Sequence, residues 1–343
     1  MRIALDATYS FGPHLSGVGV YSRELMRVLA QTHPESTFHY CYRPHRFFRS
    51  FSGDLPPNCR RRLLGLPDFS PVFHGLNQRL PSRPRFRRMV STFHDLFVMT
   101  GDYSTPDFRA RFTAQARDAA ARSDHIIAVS AFTARQVETL LGVEPSRITV
   151  VHHGIRALAP SPATRRERIV LHTGAIQRRK NLIRLIAAFE RFASLDEGLR
   201  LVLAGSAGFG AEEILERIET SPRRAAIEVT GYVTDAALAD WYARASIFAF
   251  PSLDEGFGIP LLEAMAAEVP IVTSNRSALP EVAGEAALVI DPEDTDAMAQ
   301  ALRGLATDTE QRELLIARGR KRAAAFTWET AGGKTWEVYQ QLG

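Results

Sequence analysis

Glu255 and Glu263 stand eight positions apart, on either side of Gly256-Phe257-Gly258-Ile259-Pro260. This spacing sets two carboxylates around a glycine-loosened turn that opens into a helix. Gly256 and Gly258 lack a Cβ, so the backbone can approach a ligand closely there. Pro260 carries the fixed φ of a first helical position and has no amide to leave unpaired. The helix is predicted to begin at this point. Unpaired N–H groups and the positive end of its dipole then fall on Phe257, Gly258 and Ile259, a natural seat for phosphate oxygens. Glu263 lies about one turn in and can reach the same end to accept hydrogen bonds from ribose hydroxyls, which leaves Glu255 to hold a sugar. The pattern suits a nucleotide-sugar pocket.

Departure of a nucleotide from a sugar builds negative charge on the β-phosphate, and fixed cations there stabilise the transition state more than the ground state. Arg179 and Lys180 are the cations chosen for that role, with Arg178 pointing away. Lys180 is one of only three lysines in the chain, with Lys321 and Lys334, so lysine at this position is not compositional background. His94 follows a predicted strand and so falls at the carboxyl end of a sheet, where open α/β folds bind ligands. Its neutral imidazole can donate or accept a hydrogen bond. Asp95 beside it is either an orienting carboxylate or a helix cap.

These residues need elements to hold them. Short apolar strands alternate with amphipathic helices, the pattern of parallel α/β sheets. Strands are predicted at residues 2–5, 89–93, 125–129, 148–151, 169–173, 199–204, 227–229 and 246–250, with helices over 19–30, 182–192 and 328–341. The Pro/Ala/Ser stretch at 157–164 is read as a domain linker. Residues 1–158 then form one Rossmann-like domain, 159–325 a second, and 326–343 a terminal helix. At 343 residues, with 45% hydrophobic and 23% charged content, the chain has the size and composition for two packed cores. Gly17-Val18-Gly19 after the first strand is read as a tight turn. It lacks the third glycine and the distal acidic residue of a dinucleotide fingerprint, which disfavours an oxidoreductase.

Net charge is +4, but its distribution is uneven. Residues 1–158 carry 21 Arg and no Lys against 12 acidic residues, and the remainder carries 21 basic and 26 acidic, so +4 divides into +9 and −5. Arginine alternates with phenylalanine in Arg43-Pro44-His45-Arg46-Phe47-Phe48-Arg49 and Arg83-Pro84-Arg85-Phe86-Arg87-Arg88, and Arg60-Arg61-Arg62 adds to the excess. Basic side chains with interleaved aromatics fit either a solvated face or peripheral contact with an anionic membrane. No recognition-helix or RNA-binding motif accompanies them, which disfavours nucleic acid. Cys41 and Cys59 are too few for a disulfide framework and sit in no metal-ligand spacing, in keeping with a reducing cytosol. No charged leader with a cleavage site opens the sequence, and no apolar run approaches the ~18 residues of a membrane span. The expected location is therefore cytoplasmic, and at most peripheral to the membrane.

The glutamate-x7-glutamate signature resembles that of the retaining glycosyltransferases of family 4. The likeness extends through Ser16-Gly17-Val18-Gly19-Val20-Tyr21, Phe93-His94-Asp95-Leu96, Val129-Ser130-Ala131-Phe132, Gly174 to Leu182, Gly231-Tyr232-Val233 and Ser274 to Val282. It implies the α/β GT-B architecture of two facing Rossmann-like domains and a nucleotide-sugar donor with no metal cofactor. It puts Gly17 and Gly19 toward the donor diphosphate and His94 over the donor sugar. Tyr232 and Val233 become a base-binding turn, Gly205 admits the base or ribose, and Asp95 and Ser130 fall on the acceptor side.

Two positions depart from the family pattern. Ala175 stands where arginine is common, so one phosphate contact is missing. Glu268 replaces the glycine that closes the signature helix, which bears on helix termination more than on activity. The first domain is similar to that of bacterial mannosyltransferases of O-antigen and exopolysaccharide synthesis. That likeness favours GDP-mannose as donor and a lipid-linked saccharide as acceptor. A phosphorylase or sugar-nucleotide epimerase on the same architecture, or a non-catalytic binding module, remains an alternative.

Overall fold

A computed structural model of the chain describes residues 1–12, 15–66, 68–81, 86–155, 161, 165–193 and 198–343. The chain divides into two compact units. One comprises Met1–Thr100, Thr105–Gly154 and Phe326–Gly343, and the other Gly101–Ser104 and Ile155–Ala325. Of the expected linker at 157–164, all but Ser161 lies outside the described residues.

Among the described residues the first unit holds seven strands: β1 Arg2–Asp6, β2 Thr37–Tyr42, β3 Cys59–Leu63, β4 Val72–Gly75, β5 Arg88–Phe93, β6 His125–Ala128 and β7 Ile148–Val150. They pair in parallel in the order β3-β2-β1-β4-β5-β6-β7. Ile3, Leu5, Val72, Val90 and Ile127 supply the buried sheet side chains of one core cluster, as both-face burial of a parallel sheet requires. The C-terminal helix Trp328–Leu342 adds Trp328, Val338 and Tyr339 to that core. The Tyr339 hydroxyl meets His74 Nδ1 at 2.6 Å. His74 Nε2 meets Thr92 Oγ1 at 2.8 Å, and Thr92 Oγ1 lies 2.9 Å from the Tyr21 hydroxyl. This chain of buried polar groups satisfies each of its members.

The second unit holds, among the described residues, β8 Ile169–Thr173, β9 Arg200–Ala204, β10 Ile227–Gly231, β11 Ile247–Phe250, β12 Ile271–Ser274 and β13 Leu288–Ile290. They too are parallel, in the order β10-β9-β8-β11-β12-β13. Each sheet reverses its winding once, between β1 and β4 and between β8 and β11. A doubly wound sheet opens a crevice for ligands beyond the carboxyl ends of the strands at such a point.

Two expectations change. Gly17-Val18-Gly19 is not a turn but the start of the helix Gly17–Thr32, capped by Ser16, whose Oγ accepts from the Gly19 amide at 3.4 Å. The serine cap brings the helix start two residues earlier than expected. Glycine at 19 has a packing reason, since a Cβ there would lie 2.8 Å from the Tyr9 carbonyl oxygen, whereas at Gly17 the space is open. Arg60-Arg61-Arg62, where no strand was predicted, forms the body of the edge strand β3.

Candidate functional site

The segment after β8 and the segment after β11 flank the switch point of the second sheet, and their backbones are joined. Leu253 N donates to Arg179 O at 2.8 Å, Arg179 Nη1 donates to Asp254 O at 2.8 Å, and Glu255 N donates to Ser277 Oγ at 3.0 Å. Gly174 leaves β8 with φ +123°, a left-handed conformation that favours glycine. A Cβ at Gly205 would lie 1.9 Å from the Gly174 carbonyl oxygen. These two glycines thus let the β8 and β9 exits press together.

Glu255 is the centre of the site. Lys180 Nζ lies 2.5 Å from its Oε1 and Arg179 Nη1 lies 2.7 Å from its Oε2. All three side chains are nearly buried, at 10, 6 and 13% exposure for Glu255, Lys180 and Arg179, so their interaction is weakly screened. Burial opposes ionisation of Glu255, but Arg179 and Lys180 together outweigh it and hold the carboxyl down to about 2. Lys180 Nζ also sits 4.6 Å from the centre of the Phe250 ring, a cation–π contact. The cations expected to meet a phosphate therefore hold a carboxylate, and the triad carries one net positive charge.

The helix Ile259–Ala266 begins at Gly258, whose φ of +108° makes the N-cap left-handed, and no side chain caps that end. Pro260 is its second residue, not its first. Glu263 is buried, and its Oε2 accepts from the Tyr242 hydroxyl at 3.1 Å. That hydroxyl also lies 2.9 Å from Thr173 Oγ1 at the end of β8. Both glutamates therefore belong to the β8/β11 crevice, one through Lys180 and the other through Tyr242. His172 on β8 is fully buried, with Nδ1 3.0 Å from Ala249 O. Burial, aided by the Lys180 charge, lowers its pKa to about 3.

In the first unit His94 is buried at the end of β5, and its Nε2–H donates to Leu76 O at 2.9 Å. That bond selects the tautomer in which Nδ1 is the acceptor. Burial brings its pKa down to about 4, so the ring is neutral at pH 7. Tyr21 packs edge-on at 4.6 Å and His153 stacks at 5.4 Å. Among the described residues no group of three His, Cys, Asp or Glu is arranged to hold a metal ion.

Comparison with known proteins places this geometry in a family. The model described as glycosyl transferases group 1 matches residues 157–322, and that of glycosyltransferase family 4 matches residues 15–157. The O-antigen chain mannosyltransferase B of Escherichia coli is 32% identical over 299 residues, covering 82% of this chain and 78% of that protein. The chain belongs to the group 1 glycosyltransferases. Sucrose-phosphate synthase from Thermosynechococcus elongatus superposes with a TM-score of 0.77 at 19% identity, over 99% of this chain and 98% of that one. Anabaena HepE in complex with UDP-glucose gives 0.74 at 15% identity, over 99% and 100%. These likenesses establish the GT-B fold.

The remaining expected residues of this glycosyltransferase fall in different settings. Phe257 is buried just before the signature helix, Ile259 opens it, and Tyr232 is half exposed directly after β10 with Val233 beside it. Asp95 is half-buried after β5. Ser130 is fully buried and caps the helix Ala131–Leu141, accepting from Thr133 N at 3.0 Å and donating to Thr133 Oγ1 at 3.1 Å. Arg178 turns to Asp102 at 3.3 Å and Glu213 at 2.7 Å. Tyr242 and Ser277 were missed by sequence reasoning. For Tyr242 a signal existed, because a large aromatic on the apolar side of a helix needs a partner for its hydroxyl when buried.

Proposed function

We propose that this glycosyltransferase moves a mannosyl group from GDP-mannose, with retention of anomeric configuration, to a hydroxyl of a lipid-linked saccharide during synthesis of a cell-surface polysaccharide at the inner face of the cytoplasmic membrane. The observation that carries the reading is the Arg179–Glu255–Lys180 triad at the β8/β11 crevice. The name of the Escherichia coli relative favours mannose.

The donor diphosphate takes over contacts that Arg179 and Lys180 make with Glu255, and the freed Glu255 carboxylate accepts hydrogen bonds from the sugar hydroxyls. Glu263, held by Tyr242, accepts from the ribose. As the bond from the anomeric carbon to the β-phosphate oxygen breaks, charge grows on that oxygen against the two cations. Such fixed charges in a water-poor site are worth several kcal/mol of barrier, roughly 10²–10³ in rate per donor. They make a divalent metal unnecessary in this scheme. The acceptor hydroxyl attacks from the face the phosphate leaves, and the departing phosphate oxygen takes its proton. The products are the α-mannoside and GDP. In the first unit His94, neutral near pH 7, keeps Nδ1 as a hydrogen-bond acceptor for a hydroxyl.

The test is incubation with GDP-mannose, UDP-glucose, UDP-N-acetylglucosamine, GDP-fucose and a dTDP-sugar, with a membrane extract as acceptor and EDTA present. The anomeric proton of the product is then read by NMR. An α-linked mannoside formed from GDP-mannose alone supports the reading. Transfer from another donor, or an inverted linkage, refutes it.

A further inference from the structure

The first unit carries a surface that donor chemistry does not explain. Phe48 is 81% exposed, Phe51 59%, Leu66 60% and Phe69 86%. Single exposed apolar side chains are ordinary, but large exposed aromatics gathered at one place mark an interaction surface. All four flank the edge strand β3. Phe48 and Phe51 lie on the short helical stretch Pro44–Ser52, which is tied to the strand through Arg61. The Arg61 guanidinium sits 5.0 Å from the Phe51 ring centre and donates to the carbonyls of Ser50 and Gly53. Leu66 and Phe69 lie in the connection from β3 to β4. There Leu63, Leu64, Leu66, Phe86, Cys41 and Arg62 line a surface cavity of about 400 Å³.

The same edge is basic, and its charge is not neutralised. Arg49, Arg60 and Arg62 are exposed. Arg46 donates to the Phe11 carbonyl, and Arg60 to those of Pro57 and Cys59. Among the described residues no ion pair joins Arg46, Arg49, Arg60, Arg61 or Arg62 to a carboxylate, although arginines of the second unit pair freely with Glu167, Glu190 and Glu213. Asp68, an acid buried beside this edge, faces His39 at 2.6 Å. Charge on an edge strand blocks edge-to-edge aggregation, and arginine alone would achieve that. Exposed phenylalanines beside it work against that purpose.

We propose that the β3 edge of the first unit docks on a bilayer rich in anionic phospholipid. Phe48 and Phe51, which precede the strand, and Leu66 and Phe69, which follow it, enter the interface, while Arg46, Arg49, Arg60 and Arg62 meet the headgroup phosphates. Aromatic rings at the headgroup boundary combined with arginines over anionic lipid are the two additive forces of peripheral binding. The inference deepens the reading of a lipid-carried acceptor and rests on it for its purpose, because an edge held on the bilayer keeps the enzyme where such an acceptor is presented.

Co-flotation of the full chain with vesicles tests it. Vesicles of phosphatidylcholine alone are compared with vesicles containing 30% phosphatidylglycerol, at about 0.1 and 0.5 M salt. Expected is strong partitioning to the anionic vesicles, weakened by salt and unaffected by free inorganic phosphate. The pair Phe48→Ser/Phe51→Ser, the single Phe69→Ser and the pair Arg49→Glu/Arg62→Glu should each lower partitioning about tenfold or more. Because these side chains are exposed, thermal unfolding and GDP binding should match wild type in every variant. Absence of wild-type partitioning, capture by free phosphate, or unchanged partitioning in either the Phe48/Phe51 or the Phe69 variant overturns the docking edge. Intact GDP binding in the same samples shows that the donor-site reading has not failed with it.

Discussion

Lys180 and Glu255, 75 residues apart in the chain, meet at 2.5 Å, and Arg179 closes on the other oxygen of the same carboxylate. The carboxylate thus stands between two cations in a nearly buried site. Removing one member of such a cluster costs about 3–5 kcal/mol, because the remaining charges lose their compensation. Glu255→Gln should therefore lower stability by an amount of that order. GDP should restore more of it than it adds to wild type, since the diphosphate then takes both cations without displacing a carboxylate. Thermal unfolding with and without GDP checks this, and equal shifts in the two proteins would mean that the anion sits elsewhere.

Tyr242 holds Glu263 by one hydrogen bond to a carboxylate, an interaction worth about 1.5–3 kcal/mol. Tyr242→Phe keeps the ring in its buried place. Expected is a donor KM raised about tenfold, with kcat changed less than threefold and the unfolding temperature within a few degrees of wild type. A fall in kcat at unchanged KM would argue that the tyrosine acts on the chemical step.

Glu268 ends the signature helix with φ +59°, its amide reaching Met265 O at 3.1 Å and the Val269 amide reaching Ala264 O at 2.9 Å. A left-handed residue costs an L side chain roughly 1–2 kcal/mol. The half-exposed pair with Arg320 at 2.7 Å returns at most about 1 kcal/mol. Glu268→Gly should therefore stabilise the protein slightly, by about 0.5–1 kcal/mol, with activity unchanged. Denaturant melts that show a loss would mean that the Arg320 pair outweighs the strain.

Burial lowers the pKa of His94 to about 4 and of His74 and His172 to about 3, and puts that of His153 well below the usual value. The unfolded chain binds protons at these histidines below about pH 6.5 and the folded chain does not, so stability is full above that pH and falls as pH drops below it. Each group contributes about 1.4 kcal/mol per pH unit down to its folded pKa. Glu255, depressed to about 2, adds stability above its unfolded pKa of about 4.5 that is lost between there and pH 2. Urea melts between pH 6 and 5 should show a slope of several protons. A slope below one proton would contradict the burial of these rings.

The doubly wound architecture was legible where strands are apolar runs, as at Ile169–Thr173 and Ile247–Phe250. It was not legible where neighbours supply the burial. β2 reads Thr-Phe-His-Tyr-Cys-Tyr and β4 Val-Phe-His-Gly, and their histidines are accommodated only because Asp68 and Tyr339 partner them from distant parts of the sequence. β3 is an arginine-rich edge, β12 follows the signature helix after a short turn, and β13 has three residues. At the site, the residue types of Glu255, Glu263, Arg179 and Lys180 could be read from the motif. The closing of the cations on Glu255 could not, because it depends on the β8–β11 adjacency that only the sheet order creates.

The most direct test of the account is calorimetric binding of GDP to wild type and Lys180→Ala, both in EDTA, with UDP, dTDP, ADP and CDP as controls. The account predicts selective binding of GDP to wild type without metal, and a loss of about tenfold or more in Lys180→Ala. Equal affinity in the two proteins, or binding that requires a divalent ion, would contradict it.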